Sequence, residues 1–499
     1  MNRRSFVLGT ASCATFAANA SFWGKPDKVR LAVVGVMGKG FSDWFPMVKS
    51  GKVTLVAICD CDRGFIERAQ VRLYKEGYRD LDLSRIPFYS DYRRLLDDAD
   101  ALKIDAITVS TPTHTHGSIA IMAMKKGIHC FVQMPLVRTL WELDYFGKTA
   151  RSNKVITQMG NQGSCLDAFR RNVEILNSGV LGDVTEVHIW TNRPVWPQGK
   201  AVADWIKGHP KADNIRFGLD WNAWLATAKE RPFLSVYSDD AGVYDPWKLG
   251  KNVYHTFSWR GFRDFGIGAL EMACHMMNLP FRGLELYNVS DVECTYTRER
   301  NEISFPMASS VRWTFAARDS KCRPGVRLPE VRVYWYDGAQ MPNIDRTREL
   351  ISVFSEIPTT GCIISGSKGD LMCVDDYGGK CYIALAGEMS AQDTFKHPAC
   401  TAIPRSIPFS MPSQSGGFAN SHYEEFLNAV QGEGAIYAET NSRCYSDIGH
   451  SIPFVEAILT GVVAQHVNGK LKWNSMEKRF DSVVANDLLR PYIRRDYEF

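Results

Sequence analysis

The chain has 499 residues, of which 45% are hydrophobic and 23% are charged, and its formal net charge is +4. This length allows two domains with sizeable cores. The ordinary composition indicates a globular protein, and the near-balanced charge gives no case for a nucleic-acid or polyanion partner.

The first residues carry an export pattern. Adjacent arginines, Arg3 and Arg4, precede a modest apolar stretch, and Ala18-Asn19-Ala20 fits an A-x-A cleavage site. This order predicts a twin-arginine signal peptide over residues 1–20 and a periplasmic location; a plain N-terminal tail is the alternative. The apolar stretch is too short to span a bilayer. Cys13 fits a lipoprotein site poorly, because no leucine stands three residues before it.

The next segment predicts the opening βαβ unit of a dinucleotide-binding domain. A β-branched run, Val29–Val34, is followed by three glycines, a helix and a second apolar run that closes at Asp60. Such a turn lets a pyrophosphate rest on the N–H groups of a helix N-terminus, and the acid binds the ribose hydroxyls. Met37 replaces the middle glycine, where the backbone must approach the pyrophosphate. The predicted cofactor contacts here are Gly35, Met37, Gly38, Gly40 and Asp60.

Alternating strands and helices continue to Gly160 and predict a parallel, doubly wound sheet. We assign residues 21–160 to this Rossmann domain. Loops at the carboxyl ends of its strands line the cofactor crevice, which places loop 110–116 and loop 133–135 at the nicotinamide end. The predicted cofactor contacts in these loops are Thr111, His116, Gln133 and Pro135. For His116, a structural hydrogen bond within the loop is an equal alternative.

Beyond Gly160 the pattern changes to long strands without intervening helices, which suggests an antiparallel sheet within a second α/β domain over residues 161–499. The predicted strands are 184–191, 289–297, 310–317 and 331–336. The predicted helices are 167–178, 269–277 and 421–430. The charged and aromatic residues 488–499 are interpreted as an arm over a neighbouring subunit.

Thirteen cysteines form no C-x-x-C pair, and many lie inside apolar runs. This placement favours buried free thiols over a disulfide framework. The sequence also offers no Cys/His/Asp cluster with metal-ligand spacing, so no metal site is predicted.

The motifs together resemble the Gfo/Idh/MocA family, which includes glucose–fructose oxidoreductase and inositol dehydrogenase. The resemblance runs from about Val29 to the end of the chain. It rests on the glycine turn with Asp60 and on the stretches 111–116, 133–136 and 272–275. Residues 157–162 and 254–260 resemble an exported, Bacteroidetes-like branch of that family.

The resemblance implies a nicotinamide Rossmann domain followed by an α/β domain with an open, mainly antiparallel sheet that is often used for oligomerisation. It implies hydride transfer between NAD(P) and a hydroxyl-bearing carbon of a sugar or cyclitol. A lysine in an E-K-P motif and a downstream Asp-x-x-x-His pair typically handle the hydroxyl proton. Here the lysine position is Met134, which carries no charge, the aspartate position is Glu271, and an aspartate often found three residues after the histidine is Asn278.

His275 is therefore the candidate base. Glu271, four residues earlier, would share one helix face with it and orient the imidazole; a surface pair without a catalytic role is the alternative. The predicted substrate contacts are Asn161, Tyr254, His255 and Arg260. A packed loop around Tyr254 is an equal alternative, and Gln133 and Asn161 would otherwise cap strand ends.

Three functions follow. The first is an NAD(P)-dependent oxidoreductase of a sugar, sugar derivative or cyclitol, with NAD favoured over NADP because a 2′-phosphate would meet Asp60. The second is a redox-assisted glycosidase that holds and recycles NAD. The third is a non-catalytic binding protein, suggested by Met134 and Met37. We expect a small carbohydrate partner, a homo-oligomer and no membrane span.

Overall fold

The structure is a computed structural model that describes residues 27–238, 241–243, 252–342, 358–409 and 420–499. The predicted signal peptide and Cys13 lie outside these residues.

The first sheet has six strands, and every strand pair in it is parallel. Its order, β3-β2-β1-β4-β5-β6, is that of a dinucleotide-binding fold. The strands are β1 (Val29–Val34), β2 (Val53–Cys59), β3 (Phe88–Tyr89), β4 (Ala106–Val109), β5 (His129–Val132) and β6 (Thr157–Met159). The strands are almost wholly apolar because helices cover both faces. The predicted Rossmann sheet is confirmed.

Helices connect these strands. They are α1 (Lys39–Lys49), α2 (Gly64–Lys75), α3 (Tyr92–Asp97), α4 (Ala99–Leu102), α5 (Thr113–Lys125) and α6 (Leu140–Asn153), with a 3-10 turn at Leu83–Arg85. Helix α6 begins in a capping box, in which the Thr139 hydroxyl accepts from the Glu142 N–H and the Glu142 carboxylate accepts from the Thr139 N–H. Helix α5 ends just before Gly127, the predicted stop.

The second sheet has ten strands in the order β16-β15-β14-β13-β7-β12-β9-β8-β17-β18. The strands are β7 (Val184–Trp190), β8 (Val289–Arg298), β9 (Ala308–Phe315), β12 (Val331–Tyr336), β13 (Gly361–Gly366), β14 (Gly369–Cys373), β15 (Cys381–Leu385), β16 (Gln392–Asp393), β17 (Lys470–Asn474) and β18 (Arg479–Phe480). A short hairpin, β10 (Arg318–Asp319) and β11 (Arg327–Leu328), stands apart. Within this sheet, β7 and β12 are the one parallel pair among the described strands, and the other described pairs are antiparallel. The predicted, mainly antiparallel second sheet is confirmed.

The remaining helices are α7 (Asp167–Asn177), α8 (Lys200–Gly208), α9 (Trp221–Leu225), α10 (Ala273–Met276), α11 (Asn278–Gly283), α12 (Pro398–Thr401), α13 (Asn420–Val430), α14 (Ile448–Val467) and α15 (Val483–Asp487). Further 3-10 turns are Gln162–Cys165, Ser258–Gly261, Gly268–Met272 and Arg495–Tyr497. Helix α13 packs against α1: Phe426 and Leu427 share an apolar cluster with Phe41 and Trp44. The chain therefore returns to the first sheet, and a domain division at residue 160 stays a prediction.

Helix α14 lies between the ten-stranded sheet and α6. Its apolar side chains join one continuous core with residues of both sheets. Among the described helices it is the one long and apolar enough to cross a bilayer, and 78% of its most apolar window is buried inside the fold. Those properties suit the central helix of a folded core.

The C-terminal residues pack on their own chain, and an arm over a neighbouring subunit stays a prediction. Arg494 donates to the carbonyls of Ala226 and Asn222 and to the Asn222 side chain, at 2.7 to 2.9 Å. The Tyr497 ring lies under the guanidinium of Arg93, and Phe499 stacks on Tyr145. The segment thus fastens residues near α9 to the first domain.

All twelve cysteines in the described part of the chain are free thiols. Ten of them are buried, Cys61 is half-buried and Cys322 is exposed. The predicted buried free thiols are confirmed for these residues.

Candidate active site

A cleft with a volume of about 710 Å³ opens at the carboxyl ends of β1, β2, β4 and β5. Ligand pockets commonly measure about 300 to 1,000 Å³ and lie at this edge of an α/β sheet. The first domain contributes Gly35, Met37, Gly38, Lys39, Asp60, Phe65, Arg68, Ser110, Thr111, His116, Gln133 and Met134 to its lining. The second part of the chain contributes Gln162, Trp224, His255, Phe257, Trp259, Arg260, His275 and Tyr377. One cavity therefore joins most of the predicted cofactor residues to the candidate base.

The glycine turn is tight, and two of its glycines are required by space. A Cβ on Gly40 would lie 2.0 Å from the Gly35 carbonyl oxygen, and one on Gly35 would lie 2.4 Å from the Ser110 carbonyl oxygen. Gly40 itself lies behind the cleft wall and supports the turn. Gly38 precedes α1 at a φ of +63° and faces open space. The N-terminus of α1 consequently opens on the cleft, where its N–H groups favour an anion.

Asp60 follows β2 and lies at the cleft wall. One of its carboxylate oxygens accepts the Val36 N–H at 2.8 Å and the other accepts the Asp62 N–H at 3.0 Å. These bonds fix the carboxylate against the glycine turn. Burial raises the pKa of Asp60 to about 6, although both hydrogen bonds favour the ionised form.

A polar network at the other side of the turn centres on Asp43, which is fully buried. Its carboxylate accepts from Tyr423 Oη at 2.8 Å, Ser110 Oγ at 2.7 Å, Gln133 Nε2 at 3.0 Å and the Lys39 ammonium. Sequence analysis missed Lys39 and Asp43. The available signal was an oppositely charged i,i+4 pair in a helix whose other inward residues are aromatic.

Loop 110–116 is shorter than predicted, because α5 begins at Thr113 and places His116 in its first turn. Both ring nitrogens of His116 lie 2.8 Å from carbonyl oxygens, those of Thr111 and Pro135. His116 therefore ties the ends of β4 and β5 together, as the structural alternative had it, while its ring still lines the cleft. Pro135 supplies a carbonyl from behind the cleft wall.

His275 lines the cleft on α10, edge-on to the Tyr377 ring with centroids 5.1 Å apart. Its Nδ1 is buried and has no hydrogen-bond partner within the described residues. Burial lowers the pKa of His275 to about 4, and the charges of Lys39 and Arg193 lower it further, while Asp376 opposes them. The imidazole is thus neutral at pH 7 and offers an acceptor nitrogen.

The predicted orientation of His275 by Glu271 is wrong. Residues Gly268–Met272 form a 3-10 turn, and α10 starts only after it, so the two side chains do not share a helix face. Glu271 instead pairs with Arg260, Nε to Oε2 at 3.0 Å, and accepts from the Thr113 hydroxyl at 3.3 Å. Burial raises the pKa of Glu271 to about 7. The carboxylate therefore fixes Arg260 rather than His275.

Arg260 is held flat in the cleft wall. Its guanidinium carbon lies 4.2 Å from the ring centroids of both Phe257 and Trp259. A planar guanidinium held in this way presents its remaining N–H groups in a fixed direction. Arg260 can consequently donate hydrogen bonds to a ligand in the cleft.

The other predicted substrate contacts separate into two groups. His255 lines the cleft, with Nε2 2.9 Å from Asp62 Oδ2 and Nδ1 accepting from Trp224 Nε1 at 3.1 Å. Tyr254 instead packs in an aromatic cluster with Trp221 and Phe262, outside the cleft wall. Asn161 is also fully buried outside that wall, and neither of its side-chain polar atoms has a partner among the described residues.

The residues present fit a bound dinucleotide. A pyrophosphate would fit in the space left by Gly35 and Gly40, at the open N-terminus of α1. The Asp60 carboxylate lies next to this turn, where a ribose is expected. Met37 lines the cleft, and its carbonyl accepts the Gly40 N–H at 3.2 Å. No group of three or more metal-ligating side chains occurs within the described ranges.

Comparison with known proteins agrees with this geometry. Residues 29–161 match the sequence model of the Gfo/Idh/MocA oxidoreductase family, described as having an NAD-binding Rossmann fold. A glycosyl hydrolase family 109 protein from Akkermansia muciniphila is 30% identical over 166 residues, which are 32% of each chain. One from Shewanella sp. strain ANA-3 is 31% identical over 172 residues, covering 32% of this chain and 34% of the relative. The match thus spans about a third of the length of these curated relatives.

Solved structures resemble nearly the whole chain in fold. An inositol dehydrogenase homologue from Azotobacter vinelandii, complexed with NAD+, superposes with a TM-score of 0.55 at 17% identity and covers 90% of this chain and 98% of its own. A WlbA dehydrogenase from Chromobacterium violaceum, in complex with NADH and UDP-GlcNAcA, gives a TM-score of 0.53 at 13% identity, covering 90% and 97%. The second domain therefore shares the fold of these dehydrogenases.

Proposed function

We propose that the chain, whose residues 29–161 match the Gfo/Idh/MocA oxidoreductase family model with its NAD-binding Rossmann fold, oxidises or reduces a hydroxyl-bearing carbon of a sugar, sugar derivative or cyclitol. The observation that carries this proposal is one cleft that runs from the glycine turn and Asp60 to the neutral imidazole of His275. Such a cleft holds a cofactor and a small polar substrate side by side.

NAD is the proposed cofactor. When bound, it supplies the hydride acceptor. Asp60 would accept hydrogen bonds from the adenosine ribose, while the 2′-phosphate of NADP would meet this carboxylate at short range. The α1 N-terminus would hold the pyrophosphate.

His275 is the proposed base. Proton transfer requires a neutral acceptor within hydrogen-bond reach of the substrate hydroxyl. The ring lines the cleft, its Nδ1 lacks a protein partner among the described residues, and burial keeps it neutral. Arg260 would bind another substrate oxygen from the same wall, and His255, whose two ring nitrogens already bind Trp224 and Asp62, would contact the substrate through its ring.

A redox-assisted glycosidase is the second candidate. It is favoured by the curated relatives at 30% and 31% identity, both of which are named glycosyl hydrolases. In this scheme a sugar carbon is oxidised, the aglycone leaves by elimination and the sugar is reduced again, so the cofactor ends unchanged. The cleft suits both reactions, because both begin with the same hydride transfer.

One experiment separates these functions. The purified protein is incubated with free sugars and myo-inositol plus NAD+, and separately with p-nitrophenyl glycosides without added cofactor. NADH formation supports the dehydrogenase, and nitrophenol release without net NADH supports the glycosidase. Failure of both across the panels, together with no NAD+ binding, would support the non-catalytic alternative suggested by Met134.

Export and assembly are further proposals. The twin-arginine pattern supports periplasmic export of a protein that folds and acquires NAD in the cytoplasm, and the ten-stranded sheet offers a broad surface for a second copy. Cell fractionation after Arg3→Lys/Arg4→Lys substitution tests the first proposal. Light scattering of the purified protein tests the second.

A further inference from the structure

Lys39 stands at the first position of α1, in the glycine turn, and its side chain is one-third exposed in the cleft wall. Its ammonium contacts the Asp43 carboxylate and lies 3.0 Å from Tyr423 Oη. An ammonium has three N–H donors. Asp43 and Tyr423 occupy two of them, which leaves one for a ligand in the cleft.

The anchor of this ammonium is rigid. Asp43 is fully buried and accepts from four donors, which come from α1, the end of β4, the end of β5 and α13. A carboxylate offers about four acceptor positions, so this one is saturated. The negative charge of Asp43 holds the Lys39 ammonium in place. The ammonium therefore needs no rearrangement when a ligand binds.

Lys39 is distinct among the cationic side chains that line the cleft within the described residues, which are Lys39, Arg68 and Arg260. Arg260 is anchored by Glu271 and by the Phe257 carbonyl, and its remaining N–H groups would bind another substrate oxygen. Arg68 lies over Phe65 on α2, on the Asp60 side. Lys39 shares its anchor with Gln133, the residue before Met134, and its charge acts on His275.

We propose that Lys39 is a catalytic residue, whose ammonium donates a hydrogen bond to the substrate oxygen at the carbon that is oxidised, while His275 accepts the proton of that hydroxyl. The proposal rests on the proposed function and supplies the cation that Met134 cannot. In the proposed step, the C–H bond would break and its electron pair would leave as hydride, which NAD+ would accept when bound. The O–H bond breaks toward His275, a C=O bond forms, and Lys39 keeps all its protons.

The charge of Lys39 has two linked effects. A nearby cation makes His275 a weaker base, and it equally stabilises the developing alkoxide of the substrate. The second effect offsets the first, because proton transfer depends on the difference between the two pKa values. A weakly basic histidine is therefore adequate only if the ammonium stays beside the reacting oxygen.

The test uses the full-length protein with Lys39→Gln, which keeps a donor to Asp43 but removes the charge. Lys49→Gln, on the exposed side of the same helix, is the matched control. We expect Lys39→Gln to lower kcat, measured at saturating NAD+, about 100-fold, as for loss of one oxyanion donor. Adding Met134→Lys to the Lys39→Gln variant should raise its kcat at least tenfold.

A second readout needs no substrate. The pKa of the His275 imidazole, followed by NMR and assigned with His275→Gln, should rise in Lys39→Gln and stay unchanged in Lys49→Gln. An unchanged His275 pKa, or wild-type kcat in Lys39→Gln, would overturn the proposal, as would loss of NAD+ affinity with kcat intact. Failure of the proposed function looks different, since the wild-type protein itself would then neither bind NAD+ nor act on any probe.

Discussion

Arg260 Nε lies 3.0 Å from Glu271 Oε2. The carboxylate four residues before His275 therefore forms an ion pair with the Arg260 guanidinium in the cleft wall. Glu271→Gln should cost about 2 kcal/mol of unfolding free energy, because it leaves a largely buried guanidinium without its counterion. It should leave the pKa of His275 unchanged. Urea unfolding and histidine NMR check both statements, with Asp264→Asn, the half-buried partner of Arg231, as the control. A shift of the His275 titration would restore the orienting role that the sequence suggested.

That misassignment shows where sequence reasoning reached its limit. The glycine turn and Asp60 were predictable because their contacts close within about one βαβ unit, where spacing alone fixes the geometry. The Glu271–His275 pair failed because the backbone changes from a 3-10 turn to an α-helix between the two residues, which spacing cannot reveal. Arg260, Thr113 and Glu271 meet only through tertiary folding.

The same limit applies to the network around Asp43. Tyr423 reaches Asp43 from 380 positions away, and a sequence without aligned relatives carries no sign of that contact. Two adjacent residues that were both predicted to contact the substrate also lie in different places. His255 lines the cleft, whereas Tyr254 is buried in an aromatic cluster. Which of two adjacent loop residues faces the cleft depends on the local backbone conformation. An irregular loop has no periodic pattern from which that conformation could be predicted.

His275→Ala should lower kcat at least 100-fold, since general-base catalysis is typically worth about 10² to 10⁴. In the wild type, the base must be neutral, and burial lowers the pKa of His275 to about 4. At saturating NAD+, kcat should therefore stay level from pH 7 down to pH 5 and fall only as the pH drops through about 4. His209→Ala, at an exposed position, is the control. An acid limb near pH 6.5 would contradict the assignment.

The glycine turn predicts a contrast between two neighbouring alanine substitutions. Gly40→Ala places a Cβ 2.0 Å from a backbone oxygen and should cost about 3 kcal/mol. Gly38→Ala meets no atom within 4 Å and carries only the cost of its positive φ, about 1 kcal/mol. Chemical unfolding without cofactor measures both. Equal losses would mean that the turn is not closed as described.

Asp337 predicts a pH-dependent stability. Its buried carboxylate accepts from the Ser309 N–H and hydroxyl and from Trp335 Nε1, and burial raises its pKa from 3.8 to about 7. A raised acid pKa stabilises the fold at low pH and loses that contribution as the pH rises toward 7. The stability of wild type relative to Asp337→Asn should be greater at pH 5 than at pH 8 by more than about 1 kcal/mol. If the stability of wild type relative to Asp337→Asn instead increased toward pH 8, the raised pKa of Asp337 would be wrong.

The contacts of the C-terminal segment should stabilise the fold of a single chain. Arg494→Ala removes three hydrogen bonds to Ala226 and Asn222 and should cost about 2 kcal/mol. Arg495→Ala, at the next and exposed position, should cost less than about 0.5 kcal/mol. Thermal unfolding compares the two, and light scattering should show the same mass for both. Dissociation of an oligomer in Arg494→Ala would instead support an arm between subunits.

NAD binding in this cleft can be measured by calorimetric titration of the purified protein, with a parallel assay for NAD(H) released on denaturation. We predict that the protein either releases bound NAD(H) or binds NAD+ at least tenfold more tightly than NADP+, and that Asp60→Ala removes most of this preference. No released cofactor together with no heat of binding for NAD+ would contradict it.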